Sequence, residues 1–85
     1  MVRVYKIKNF DIYSNKNGAF IVYNTNKPFE QGHTHINNYH TAKYIANLAV
    51  HQSLPKKNIS KYLIQSLIRI SSDKNYIKKL NMMRN

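Results

Sequence analysis

The chain has no cysteine and no tryptophan, only two glycines and two prolines, and only three acidic residues, Asp11, Glu30 and Asp73. Each scarcity removes a possibility. Without cysteine there is no disulfide to support a fold and no thiolate-ligated zinc site, so stability has to come from apolar packing. So little Gly and Pro excludes a low-complexity or linker-like chain. Three scattered carboxylates cannot easily supply the clustered acids of a metal-dependent nuclease. No stretch approaches the roughly 20 apolar residues that cross a bilayer. The first residues, Met1 to Asn9, lack the apolar run of a secretory signal. The expected location is cytoplasmic, with no membrane partner.

What is present fits one small domain, predicted over residues 1–85, with a sheet part at 1–36 and a helical part at 37–85. A chain of this length buries about 60–65% of the surface its unfolded form exposes, enough for one core and no deep catalytic cleft. Ten Ile, seven Tyr, three Phe and three Met supply that core. The richness in Lys, Asn, Ile and Tyr suits an AT-rich genome of bacterial, phage or mobile-element type.

Charge is the strongest signal. Fourteen Lys and Arg against three acids give a net charge of +11. Residues 1–40 carry five basic and two acidic groups, or +3, and residues 41–85 carry nine and one, or +8. Such an excess favours a polyanionic partner, either nucleic acid or an acidic protein surface, unless it serves solubility alone. Eleven of the fourteen are Lys and only Arg3, Arg69 and Arg84 are Arg. Lysine is a mobile point charge, whereas Arg carries the planar fork that reads base edges. The composition therefore favours contact with phosphates over base-by-base readout.

Along the chain, residues 4–13 read as extended, with a break near Lys8–Asn9. Asn17–Gly18 lies between alternating segments and predicts a two-residue hairpin turn. That turn sets Lys16 against Ala19, Ser14 against Ile21, Ile12 against Tyr23 and Phe10 against Thr25. One face then carries Phe10, Ile12, Ala19, Ile21 and Tyr23, the better core candidate. The other carries Asp11, Tyr13, Phe20, Val22 and Asn24. Its Tyr13–Phe20–Val22 cluster either lies under other elements or, if open, can stack nucleobases. Asn24 to Pro28 is a loop, and a short third strand is expected at His33 to Ile36.

Three helices follow. The first runs roughly from Tyr39 to His51, capped by Asn37 or Asn38. Ala42, Ile45, Ala46, Leu48 and Ala49 fall on one side of it, and His40, Lys43, Tyr44, Asn47 and His51 on the other. The second, about Ile59 to Ile70 with Asn58 as cap, is apolar over most of its circumference, with Lys61, Gln65 and Arg69 as its wet edge; it should be central. The third runs from about Asp73 to Met83, with Tyr76, Ile77, Leu80 and Met83 inward and Lys74 and Lys78 outward. The predicted fold is α+β: an N-terminal three-stranded antiparallel β-meander packed on three C-terminal helices.

All four histidines lie between residues 33 and 51. His33 and His35 point the same way in a strand and can share a metal, with His40 as a third ligand only if the chain turns tightly. His51 is about 16 Å along the helix from His40. Without a nearby carboxylate this is better read as polar surface, and no metal or cofactor is expected. His33, His35, His40 and Lys43 also offer the groups that metal-independent RNA cleavage uses. The row His40, Lys43, Tyr44, Asn47 and His51 suits phosphates or an acidic surface. Lys56, Lys57, Lys61, Lys74 and Lys78 extend the basic surface if they fall on one side. The helix-break-helix pattern from 59 to 84 is compatible with a helix-turn-helix, but the last helix lacks the Arg, Asn and Gln of a recognition helix.

The leading expectation is a non-enzymatic protein that binds nucleic acid or a nucleoprotein complex through Lys-rich electrostatics. The alternatives are an inhibitor or accessory protein of phage or mobile-element type that occupies an acidic groove of a host protein, and a small His-dependent ribonuclease.

Overall fold

The segment from Val2 to Ser14 doubles back on itself. In the computed structural model, which describes residues 1–84, Lys8 adopts φ +54°. It reverses the chain so that Ile7 pairs with Phe10. What reads in sequence as one extended stretch with a break is two strands, β1 (Val2–Ile7) and β2 (Phe10–Ser14). With β3 (Phe20–Asn24) and β4 (His33–Ile36) they form one antiparallel sheet in the order β1-β2-β3-β4. The meander is correct and the expected strand number is not: there are four strands rather than three.

The second correction is a register. The β2–β3 connection is a three-residue loop rather than the two-residue turn. Gly18 N–H donates to the Asn15 carbonyl at 3.4 Å, and Asn15 N–H donates to the Ala19 carbonyl at 3.1 Å. Gly18 takes the left-handed conformation, φ +78°, as the glycine of such a loop does. Asn15 selects this loop, because its side-chain Oδ1 accepts from the N–H groups of Asn17 at 2.9 Å and Ala19 at 3.2 Å, the local bonding that Asn offers a turn. Ser14 therefore pairs with Phe20, Ile12 with Val22 and Phe10 with Asn24. A shift of one residue turns every side chain of β3 over. Phe20 and Val22 join Phe10 and Ile12 on one face. Ile21 and Tyr23 join Asp11 and Tyr13 on the other, and the expected Tyr13–Phe20–Val22 cluster is split.

Between β3 and β4 a single helical turn, α1 (Phe29–Gly32), follows the expected loop at Asn24 to Pro28 in a stretch for which the sequence offers no element. Gly32 is required there: a Cβ on it would sit 2.7 Å from Lys27 Cβ. The three longer helices are α2 (Tyr39–His51), α3 (Lys61–Ile70) and α4 (Lys74–Arg84). α2 begins where expected, with Asn38 Oδ1 accepting from Thr41 N–H at 3.0 Å. It ends at Gln52 in the left-handed conformation, φ +51°, with the N–H groups of Gln52 and Ser53 closing on Ala49 and Leu48 carbonyls. α3 starts two residues later than expected, because Ser60 rather than Asn58 is its cap, accepting from Leu63 N–H at 3.2 Å. Asp73 caps α4 through Oδ1 and Tyr76 N–H at 2.8 Å.

α2 lies across all four strands, and α3 touches α1, α2, α4, β3 and β4. The core unites Phe10, Ile12, Val22 and Ile36 of the sheet with Ala42, Ile45, Ala46, Ile64, Leu67, Ile70, Tyr76 and Leu80 of the helices. The small alanines of α2 allow close approach to the sheet. Two polar residues cross this layer with full partners. Thr34 donates to Ser66 Oγ at 2.8 Å. Asn24 donates to the Ile70 carbonyl at 2.9 Å and accepts from Asn9 Nδ2 at 2.7 Å. Burial holds the Tyr76 phenol protonated far above its usual range; its hydroxyl donates to the Ser53 carbonyl at 2.8 Å. No helix among the described residues is long and apolar enough to cross a membrane.

Candidate nucleic-acid interface

The face of the sheet opposite α2 takes its side chains from the other alternation of each strand. β1 contributes Arg3 and Lys6, β2 Asp11 and Tyr13, β3 Ile21 and Tyr23, and β4 His33 and His35. None of these belongs to the hydrophobic core cluster. The pairing places Arg3 beside Tyr13, Lys6 beside Asp11, Ile21 beside His35 and Tyr23 beside His33.

At the β1–β2 side, polar groups converge on Asp11, which is only 4% exposed. Lys6 Nζ donates to its Oδ1 at 3.3 Å and the Tyr13 hydroxyl to its Oδ2 at 3.1 Å, while Arg3 Nη1 stands 3.9 Å from Oδ2. Partial burial and the neighbouring Asp11 carboxylate push the Tyr13 phenol up. One carboxylate thus orders two cations and a phenol on a surface that stays positive by one charge. These are the two ion pairs found among the described residues.

At the β3–β4 side the surface is aromatic. The Phe29 ring lies 4.2 Å from the His33 ring, with only 5° between their planes, and meets Tyr23 edge-on at 5.2 Å. His35 stands edge-on to His33 at 5.1 Å. Phe29 remains 40% exposed. His33 Nδ1 faces the Phe29 carbonyl; a carbonyl can only accept, so this nitrogen carries the proton and Nε2 is directed elsewhere. The outer edge of β4 is closed by α3. Arg69 Nε donates to the His33 carbonyl at 2.7 Å and Nη2 to the Glu30 carbonyl at 2.6 Å, and the Tyr62 hydroxyl donates to the His35 carbonyl. The Tyr62 ring remains 58% exposed.

Comparison with protein families, curated proteins and solved structures returns no match. What the surface does has to be argued from its chemistry.

The residues singled out in the sequence fall into three places. His33 and His35 share the open sheet face, pointing the same way as their spacing requires. His40, Lys43, Tyr44, Asn47 and His51 lie on α2, and three of them are occupied. Lys43 Nζ sits over the Tyr5 ring, 4.8 Å from its centroid, and 5.6 Å from that of Tyr39, a cation–π arrangement. Asn47 Nδ2 donates to the Lys43 carbonyl at 2.8 Å and to the Tyr5 hydroxyl at 3.4 Å. The Tyr44 hydroxyl accepts from Lys56 N–H at 3.2 Å. His40 and His51 are exposed, His51 with Nδ1 on the Asn47 carbonyl at 2.9 Å. Lys56, Lys57, Lys61, Lys74 and Lys78 are all exposed and have no ion-pair partner among the described residues. No group of three or more His, Asp or Glu side chains is placed to hold a metal among those residues, so His40 does not join His33 and His35.

Sequence reasoning missed Arg3, Lys6, Tyr23 and Phe29 as site residues. Arg3 and Lys6 became legible only once β1 was recognised as a separate strand, and Tyr23 only in the shifted register. Phe29 carries no periodic signal, because it sits on a one-turn helix.

Proposed function

We propose that the protein binds single-stranded nucleic acid on the open face of its sheet, with the exposed lysines drawing the phosphate backbone to it. The observation that carries this reading is the juxtaposition on one face of a partly exposed aromatic stack, Phe29, His33 and Tyr23, with the cations Arg3 and Lys6. Bases stack on aromatic and imidazole rings without regard to sequence, while cations track the backbone. A duplex keeps its bases out of reach of such a flat surface. The lysines on the α2–α3 connection and on α4 add to the net positive charge that draws a polyanion to the protein at low salt. The arginines fit this division: Arg69 is occupied at β4, and Arg84 donates to Gln65 Oε1 at 2.8 Å.

The test is a salt titration of binding to single-stranded and duplex oligonucleotides, DNA and RNA. The expected result is tighter binding to single strands, with affinity falling steeply as salt rises and falling further in Phe29→Ala. Absence of binding at ~50 mM salt, where phosphate contacts are strongest, would overturn the reading and turn attention to an acidic protein as partner for the same lysines. Cleavage of RNA in this assay, lost in His33→Ala, would replace binding with catalysis.

A further inference from the structure

Away from the open sheet face the chain has a polar concavity. It lies where the β1–β2 turn, the end of β3, the C-terminus of α2 and the α3–α4 link meet, and its volume is about 210 Å³. That is below the ~300–1,000 Å³ of sites for drug-sized ligands, so it suits a group of one or two rings. Its apolar floor is Phe10, Ala49 and Val50, and its polar wall includes Asn9, Asn24, Asn26, Gln52, Ser72 and Asp73. In a chain of +11, no Lys or Arg lines it.

Hydrogen bonding divides these side chains into scaffold and available groups. Asn24 is scaffold: it donates to the Ile70 carbonyl and to Ser72 Oγ, and it accepts from Asn9 Nδ2 and Asn26 N–H. The side-chain amides of Asn26 and Gln52 have no partner among the described residues. Asp73 uses Oδ1 on Tyr76 N–H and has Oδ2 left over. The two non-glycine residues with positive φ among the described residues are Lys8 and Gln52. One adjoins the lining residue Asn9 and the other lines the cleft itself. Glycine is the ordinary residue at a helix terminus such as that of Gln52, and strained backbone of this kind gathers at ligand sites.

We propose that this cleft binds a nucleobase carrying an exocyclic amino group beside a ring acceptor, adenine or cytosine, from a strand end or a free nucleotide. A carboxamide presents a donor and an acceptor side by side, the pattern that pairs with an amino group and ring nitrogen. The acceptor-only Asp73 oxygen favours an amino group and opposes the carbonyl of uracil or thymine. The apolar floor takes the ring. The sugar-phosphate points outward, towards the positive rim where Lys8 directly precedes the lining residue Asn9, Lys74 directly follows Asp73, and Lys27 Nζ donates to the Ser71 carbonyl at 3.2 Å. This goes beyond the sheet-face reading, since no residue of the cleft is on that face.

The test is an NMR titration of the intact chain with AMP, CMP and UMP, with ribose 5-phosphate as a control. AMP or CMP should shift the side-chain amide signals of Asn26 and Gln52, with UMP weaker by roughly tenfold. Gln52→Gly is the decisive variant. Glycine suits the left-handed position, so this protein should melt at an equal or higher temperature and yet bind the nucleotide roughly tenfold more weakly. Asn26→Ala should behave alike in binding. The proposal is overturned if millimolar AMP and CMP leave the cleft signals unmoved, if ribose 5-phosphate binds as well as they do, or if both variants bind as the wild type does. Oligonucleotides separate the two readings. Strands that bind through Phe29 without moving the cleft signals in any nucleotide titration retain the sheet face and remove the cleft. AMP in the cleft without any oligonucleotide binding does the reverse, and makes the free nucleotide the ligand.

Discussion

Ile12 and Asp11 are neighbours in β2, and between them the sheet changes character. Ile12 is 0% exposed and lies under α2 in the core, whereas the Asp11 carboxylate meets side chains of its own sheet, Lys6, Tyr13 and Arg3. The same contrast repeats on the other strands, with Val22 against Tyr23 and Ile36 against His35. One face is sealed by helices and holds the domain together. The other is a thin layer of aromatic, imidazole and cationic groups resting on Ile21. An antiparallel sheet can leave one face to water, and what distinguishes this one is that the uncovered face is aromatic and basic rather than merely polar. On the proposed reading, folding and binding fall to opposite sides of the same strands, so changes on one side should be separable from changes on the other.

The largest effect is expected on the sealed face. Ile12→Ala should destabilise the protein by about 3 kcal/mol, as truncation of a fully buried aliphatic does. Ile21→Ala, on the open face, should lie near the low end of that range, about 2 kcal/mol; chemical denaturation of the two variants checks the order, and equal losses would dissolve the contrast. Next, Phe29→Ala should leave stability within about 1 kcal/mol and weaken single-strand binding by about 1–3 kcal/mol, the worth of one stacked base. Fluorescence anisotropy beside a melting curve measures both.

Asp11→Asn removes the negative charge that pairs with Arg3 and Lys6 on the open face. It should cost about 1–2 kcal/mol of stability through weakened charged hydrogen bonds, and it should tighten oligonucleotide binding and steepen its salt dependence. Unchanged binding would show that Arg3 and Lys6 do not meet phosphate.

The smallest effect is a pH dependence that distinguishes two phenols. Tyr76, under the helices, is raised by burial, and Tyr13, on the open face, by partial burial and Asp11. Above the ordinary tyrosine value of 10.0 the unfolded chain releases a proton from Tyr76 that the folded chain keeps. Its contribution to stability is therefore complete below that pH and is lost as pH rises towards the folded value. In an alkaline absorbance titration Tyr13 should ionise in the folded protein and Tyr76 only with unfolding. Tyr76→Phe should remove that part of the alkaline loss while costing about 1 kcal/mol at neutral pH through its lost hydrogen bond.

Much of the helical half was legible from local signals. The Asn38 cap and the spacing of Ala42, Ile45, Ala46 and Ala49 place α2 and its buried side without knowledge of the rest, because a helix closes its own hydrogen bonds. The cap of α3 was misassigned because Asn58 and Ser60 both suit that role, and the choice depends on where the chain leaves Pro55, which is buried. In the sheet half, His33–Ile36 was legible as a strand, but the reversal at Lys8–Asn9 was not, since neither residue is a glycine and Lys8 has to adopt a positive φ. The register at Asn17–Gly18 turned on which of two loops that dipeptide would enter, and the side chain of Asn15 decided it. The site inherited that error, because a shift of one residue exchanges the sealed face for the open one.

By itself, the sequence determined the class, a small basic α+β chain with three amphipathic helices after a meander, and the excess of lysine on which the proposed reading rests. These depend on composition and on periodicity, which are properties of residues near one another. The tertiary structure decided which lysines and arginines are occupied, which face of the sheet is sealed, and that Phe29 stacks on His33 beside Tyr23. Those outcomes depend on strand register and on contacts between elements far apart in the chain, such as Arg69 with His33 and Asn24 with Ile70. They exist only when all the elements are in place.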